Sequence, residues 1–159
     1  MVLALIITSL AEPAKVEGTS MEPAVMAEDT IILNKASYLI GEPAYGDIVV
    51  FEIALYTEDN VGRMLVKRVV AVAGDTVEIK DGVLYRNDTV LSEEYVSSAK
   101  EHENMEAVRI EPGYVFVMGD NRAVSRDSRD EIIGPVAVKD ILGKVAFRVL
   151  PMDHMGKVS

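Results

Sequence analysis

From Lys15 onward the chain is built of short apolar runs broken by Gly, Pro, Asn and Asp, the pattern of strands joined by tight turns rather than of long amphipathic helices. The runs predict strands over Thr30–Asn34, Asp47–Ile53, Met64–Ala73, Thr76–Lys80, Val83–Arg86, Tyr114–Met118 and Gly143–Val149. Asp81-Gly82 fits a hairpin turn between two of them, because a type I′ turn needs positive φ at both central positions. Ser92 to Glu111 carries six Glu against Lys100 and Arg109, and reads as a solvated, partly helical insertion on a β body. No internal repeat, low-complexity tract or linker interrupts the pattern. The fold class that follows is all-β with a small polar excursion.

The N-terminus departs from this pattern. Val2 to Leu10, VLALIITSL, is an uncharged apolar run about half the ~20 residues that a helix needs to cross a bilayer. No basic segment precedes it and Glu12-Pro13-Ala14-Lys15 follows at once, so it does not read as a secretory signal. Two readings stay open: a buried strand or helix, or the outer end of a membrane anchor.

Composition narrows the chemistry. A chain of 159 residues with 49% hydrophobic residues is one domain's worth and can bury a core without staples. The absence of Cys removes thiol nucleophiles, disulfides and Cys-ligated metals. The two His, His102 and His154, each stand alone in polar stretches, which disfavours a His-dependent triad or a multi-His metal site. Lys+Arg 16 against Asp+Glu 26 gives a net charge of −10, which argues against a nucleic-acid partner and against broad attraction to anionic lipid.

A nucleophilic mechanism in such a chain needs Ser or Thr activated by a base other than His, and Ser-Lys pairs are a known solution. Lys67 lies in MLVKRVVAVAG, where alternation puts Leu65, Lys67, Val69 and Ala71 on one strand face and Val66, Arg68, Val70 and Val72 on the other. Desolvation on such a face would lower the Lys pKa, whereas Arg68 cannot serve as a base because guanidinium does not deprotonate in proteins. The competing reading is an edge strand whose Lys guards against aggregation or reaches out to water. Ser20 stands in VEGTSMEP, which suggests either an exposed, extended edge, with Gly18 admitting a close backbone, or a simple turn. MGDNRAVSRDSRDEIIGP, Met118 to Pro135, places a tight turn at Gly119-Asp120-Asn121 and alternates three Arg with three Asp. Its ordinary reading is a charged surface loop with exposed ion pairs worth at most about 1 kcal/mol each.

Together and in this order, the three segments resemble bacterial type I signal peptidases, membrane-anchored Ser/Lys proteases that remove signal peptides from exported proteins. The resemblance runs from Val16 to about Pro151, through GTSMEP, KRVVAVAGD and GDNRAVSRDSR, with further agreement at GDIVVF, IIGPV and GKVAFRVLP. It implies a mainly β fold of antiparallel sheets forming a partly open, barrel-like body. It also implies an anchor remnant and linker over 1–14 and a single peptidase domain over 15–159, with a small insertion at about 81–111.

Carried over residue by residue, the resemblance makes Ser20 the nucleophile, with its backbone N–H an oxyanion donor, and Lys67 the general base. Ser125 would orient the Lys amine, Asp127 and Arg129 would form an ion pair holding the third segment, and Asp120 would be a further supporting acid. The family's second oxyanion donor, a Ser two residues before the nucleophile, is Gly18 here. Thr19 would point away from it on an extended strand. That departure and the short insertion resemble the Gram-positive branch. No metal or cofactor is implied. The implied partners are signal-peptide-bearing preproteins with small residues before the cleavage point and, through Val2 to Leu10 as the outer half of an anchor, the lipid bilayer. The peptidase domain would lie on the extracytoplasmic side of the cytoplasmic membrane.

Two competitors are a LexA-like self-cleaving Ser/Lys protease and a non-catalytic homologue acting in pilus or secretion assembly. The first carries a scissile bond upstream of its nucleophile, but the single Ala-Gly pair here, Ala73-Gly74, follows Lys67. For the second, retention of both Ser20 and Lys67 offers no support.

Overall fold

The structure, a computed structural model, describes residues 10–53, 63–97 and 103–158. The Val2–Leu10 run, apart from Leu10, and His102 therefore lie outside the described residues.

Two antiparallel sheets make the body. The larger, eight-stranded sheet runs in the order β1 (Ala11–Lys15), β2 (Thr30–Asn34), β11 (Ile141–Leu150), β3 (Ile48–Ile53), β4 (Arg63–Val72), β9 (Tyr114–Met118) and β10 (Val136–Ala137), with β12 (Gly156–Lys157) paired to β11. The order has two edges, β1 and β10, so the sheet is open rather than a closed barrel. The smaller sheet runs β7 (Thr89–Val90), β6 (Val83–Arg86), β5 (Thr76–Lys80) and β8 (Met105–Arg109). A short α-helix, α1 (Ser37–Ile40), and two 3₁₀ turns, Val138–Asp140 and Met152–His154, interrupt the described β structure.

β3 shows why a continuous apolar run marks a central strand. Ile48 and Val50 enter one core cluster with Met21, Val25, Ile31, Leu33 and Val145, while Val49 and Phe51 enter another with Val69, Val115 and Val117. With both faces covered, alternation costs no polar side chain, and each fully buried Val or Phe contributes about 1.5–3 kcal/mol. A third cluster joins the sheets, packing Val70, Ala71, Phe116 and Met118 of the large sheet on Val77, Ile79, Leu84 and Ile110.

All seven expected strands form, four with the expected ends and three, β3, β4 and β11, with ends shifted by one or two residues. Asp81 (φ 50°) and Gly82 (φ 80°) both take positive φ between β5 and β6, as the hairpin reading requires. Alternation along β4 holds through Val69 and then slips at an irregularity between Val69 and Ala71, so that Val72 packs with Leu65 and Val69 while Ala71 joins Val70.

Two expectations are corrected. Ala11 to Ala14, the end of the 1–14 stretch read as anchor remnant and linker, form with Lys15 an edge strand along β2, hard to recognise because it is mostly exposed and contains Pro13. Ser92 to Glu111 contains the strand β8 and no helix among its described residues, and the secondary sheet begins at Thr76 rather than near 81. β8 was missed because it is the polar edge of that sheet.

Candidate active site

Three pieces of backbone converge around Lys67, midway along β4: β4 itself, the turn Ser20–Ala24 and the segment that leaves β9 after Met118. The Ser20 turn is tight rather than extended. Glu22 N–H donates to Thr19 O (3.3 Å) and Val25 N–H to Met21 O (3.0 Å), while the buried Met21 and Val25 root the turn in the core. The simple-turn reading of this segment is therefore the correct one. Gly18 sits at φ 84° with no atom within 4 Å of where a Cβ would stand, so it serves a left-handed backbone and not a close approach. The strand argument that turned Thr19 away loses its basis with the strand.

The carbonyls of this turn are held from three distant parts of the chain. Asn121 N–H donates to Ser20 O (3.0 Å) and Asn121 Nδ2 to Thr19 O (3.3 Å). Ser97 Oγ donates to Glu22 O (2.9 Å). Arg148 Nη1 donates to Ala24 O (3.3 Å) while pairing with the buried Asp29 (3.0 Å).

Lys67 is 2% exposed on β4, between β3 and β9, which overturns the edge-strand reading. Its Nζ lies 2.6 Å from Ser20 Oγ and donates to Val66 O at 2.9 Å. Burial lowers its pKa from 10.5 to about 8, with Arg129 pushing the same way and Asp127 and Asp120 opposing. An amine of this kind is substantially neutral in mildly alkaline water, and a neutral amine can accept a hydroxyl proton.

Beyond Met118 the charged segment folds inward. Arg68 makes a buried two-pronged contact with Asp120 (Nε–Oδ1 2.9 Å, Nη2–Oδ2 2.8 Å) and donates to Gly46 O. Burial raises the Asp120 carboxyl above the ordinary range, against the pull of Arg68. Arg129 grips Asp127 at 2.8 and 2.9 Å, and Gly119 N–H donates to the same carboxylate at 3.0 Å. Burial works to raise the Asp127 carboxyl, but the Arg129 contacts outweigh it and hold the acid below its usual range. Arg122 pairs with Glu93 (2.8 and 2.6 Å) and Arg129 with Glu103 (2.7 Å), so two of the Glu read as solvated are partners of nearly buried guanidinium groups. Among these arginines, the surface-loop reading fits Arg126–Asp130 alone, an exposed i,i+4 pair.

The structure thus brings together Ser20, Lys67, Ser125, Asp127 and Arg129, with Asp120 behind Arg68. The Gly119-Asp120-Asn121 turn comes two residues later than expected, where Val124 and Ser125 N–H groups both donate to Asn121 O. What Gly119 supplies is a missing Cβ, which would stand 2.3 Å from Ser125 Oγ and 2.4 Å from Ser20 O. Ser125 Oγ is buried and has no hydrogen-bond partner among the described residues, so the expected contact with the Lys67 amine is not made in this arrangement. Its proximity to Asp127 favours that carboxylate without reaching hydrogen-bond geometry. Sequence reasoning missed Arg68 as a partner of Asp120, Asn121 and Gly119 as supports of the Ser20 turn, and Glu93 and Ser97. The signal available was GDN itself, whose Gly and Asn were read only as turn formers.

Residues 1–150 match the profile of a family described as signal peptidase, peptidase S26. A probable signal peptidase I-1 of Synechocystis is 37% identical across 99% of this chain and 81% of its own length. Signal peptidase I of Bacillus licheniformis is 38% identical, over 98% of this chain and 86% of that protein. Probable thylakoidal processing peptidase 2 of Arabidopsis thaliana is 40% identical over 95% of this chain, which spans 41% of that protein. Among solved structures, a signal peptidase I from Enterococcus faecalis superposes with a TM-score of 0.53 at 30% identity, covering 67% of this chain and 99% of its own.

Proposed function

Since the chain belongs to the S26 signal peptidases, we propose that it is a membrane-associated serine endopeptidase that removes signal peptides from exported preproteins with a Ser20/Lys67 dyad. The observation that carries this reading is the 2.6 Å contact between Ser20 Oγ and a buried Lys67 amine whose pKa lies near 8. A homologue acting only as a binding or assembly factor has no need of that contact.

In the proposed reaction, neutral Lys67 takes the Ser20 proton as Oγ bonds to the scissile carbonyl carbon and the carbonyl electrons move onto oxygen. Ser20 N–H, which has no hydrogen-bond partner among the described residues, is available to that oxyanion. The Lys67 ammonium then gives its proton to the departing amine as the peptide bond breaks. In the second half Lys67 takes a proton from water, the resulting oxygen attacks the ester, and Ser20 leaves with that proton. Asp127–Arg129 and Asp120–Arg68 support the site by fixing the segment behind Ser125 and Asn121, and Ser125 would orient the Lys67 amine only after a shift from the present arrangement.

The acidic chain leaves membrane attachment to apolar residues, and the Val2–Leu10 run is the segment that would supply it. Among the described residues no helix is long and apolar enough to cross a bilayer. The peptidase domain would work on the extracytoplasmic face, where preproteins emerge. The test is a synthetic preprotein with Ala at the first and third positions before the cleavage point, incubated with the protein in detergent or lipid, the products read by mass. Release of the signal peptide at that bond is expected. An intact substrate, or cutting elsewhere, would overturn the reading.

A further inference from the structure

We infer that residues Glu93 to Ser97, which belong to the excursion carrying the small sheet, form a clasp that sets the alignment of Ser20 with Lys67. This inference rests on the dyad proposed above, and it assigns Tyr95 and Ser97 as positioning residues. The clasp touches both halves of the dyad one step removed. On the nucleophile side, Ser97 Oγ donates to Glu22 O, two residues past Ser20, at 2.9 Å, and Ser97 N–H donates to Asp120 O at 3.2 Å. Ser97 therefore ties the Ser20 turn to the segment that carries Ser125 and Asp127.

On the base side the Tyr95 ring lies under the Arg68 guanidinium, 4.1 Å from centroid to carbon. Arg68 follows Lys67 directly and is the two-pronged partner of Asp120. A cation over an aromatic face is held more strongly the more it is desolvated, and this cation is 3% exposed. Tyr95 is fixed in turn: its OH donates to Glu93 Oε1 at 2.8 Å and lies 3.3 Å from the Tyr45 OH, and Tyr45 in turn stacks under Arg86 of β6. Glu93 closes the clasp through Arg122, whose Nε donates to Gly119 O at 2.9 Å.

Each link is short, and the chain Arg86–Tyr45–Tyr95–Arg68 runs from the small sheet to the residue beside the base. Loosening the clasp should let Ser20 Oγ and Lys67 Nζ drift from hydrogen-bond distance while leaving peptide binding in place. A small misplacement of reacting groups costs rate before it costs affinity.

The experiment measures kcat and KM separately for Ser97→Ala, Tyr95→Ala and Tyr95→Phe on the same preprotein, with Ser20→Ala run alongside. Ser97 is exposed, so its Ala variant folds, and a thermal melt of each variant confirms it. Expected are a kcat drop of roughly 3- to 10-fold for Ser97→Ala, as for one lost hydrogen bond, and a larger drop for Tyr95→Ala. KM should stay within about 2-fold, and Tyr95→Phe, which keeps the ring over Arg68 but loses the contacts to Glu93 and Tyr45, should give a kcat between those of Tyr95→Ala and wild type. Unchanged kcat in both Ala variants, or a raised KM at constant kcat, would overturn the clasp while leaving the dyad standing. Full turnover by Ser20→Ala would instead overturn the dyad.

Discussion

The Lys67 amine meets the Ser20 hydroxyl at 2.6 Å although 47 residues separate them in the chain. Burial of Lys67 on a strand flanked by β3 and β9 lowers its pKa to about 8, so the amine that donates to Ser20 Oγ can, once deprotonated, accept the hydroxyl proton instead. Position in the sheet thus supplies a buried amine suited to the proposed role of base.

Activity should follow the neutral fraction of Lys67, about a tenth at pH 7 and half near pH 8. The kcat profile is expected to rise through pH 8 and level off above pH 9, up to the pH where the protein unfolds. A flat profile between pH 6 and 9 would contradict a Lys67 base.

Lys67 also links stability to pH. Its folded pKa lies below its unfolded one, so between about 8 and 10.5 the unfolded chain binds more protons and stability rises with pH. Below pH 8 the desolvation cost, on the order of 3 kcal/mol, is fully present. Lys67→Met should therefore abolish turnover and raise the melting temperature at pH 7, with the gain shrinking toward pH 10. A lower melting temperature at pH 7 would show that the amine's hydrogen bonds outweigh its burial.

Removing Arg129 from Asp127 strands a carboxylate that is 1% exposed, so Arg129→Ala should cost about 3–5 kcal/mol. Arg126→Ala breaks an exposed pair and should cost under about 1 kcal/mol. Urea unfolding of the two variants checks the contrast. Equal losses would mean that Asp127 is satisfied without its partner.

Gly119→Ala puts a methyl 2.4 Å from the Ser20 carbonyl and 2.3 Å from Ser125 Oγ. The Ser125 hydroxyl can rotate away, but the Ser20 backbone cannot move without carrying the Ser20 hydroxyl with it. Turnover is expected to fall by about 100-fold or more, on the scale of an ångström's misplacement. Activity within a few fold of wild type would show that the Ser20 turn tolerates displacement.

The central strands and the pairing of Ser20 with Lys67 were legible because each leaves a local trace: unbroken apolar runs for β3 and β4, and ordered segments around Ser20, Lys67 and Ser125. β1 and β8 were not, because an exposed edge strand with Pro13 or several charges carries no alternation. Lys67 could be read from periodicity as either an edge residue or a buried one, and strand order decided between them. The partners of the charged residues were beyond reach for the same reason. Arg68–Asp120 and Arg122–Glu93 join positions 52 and 29 residues apart, and nothing in their own neighbourhoods marks them as pairs.

The most direct measurement is the turnover of one synthetic preprotein by wild type, Ser20→Ala and Lys67→Ala at pH 8, with folding of each variant confirmed by its melt. The dyad predicts cleavage by wild type and a loss of at least about 1,000-fold in each variant, because nucleophile and base act as a unit. Cleavage by a folded Ser20→Ala or Lys67→Ala variant at a rate near wild type would contradict it.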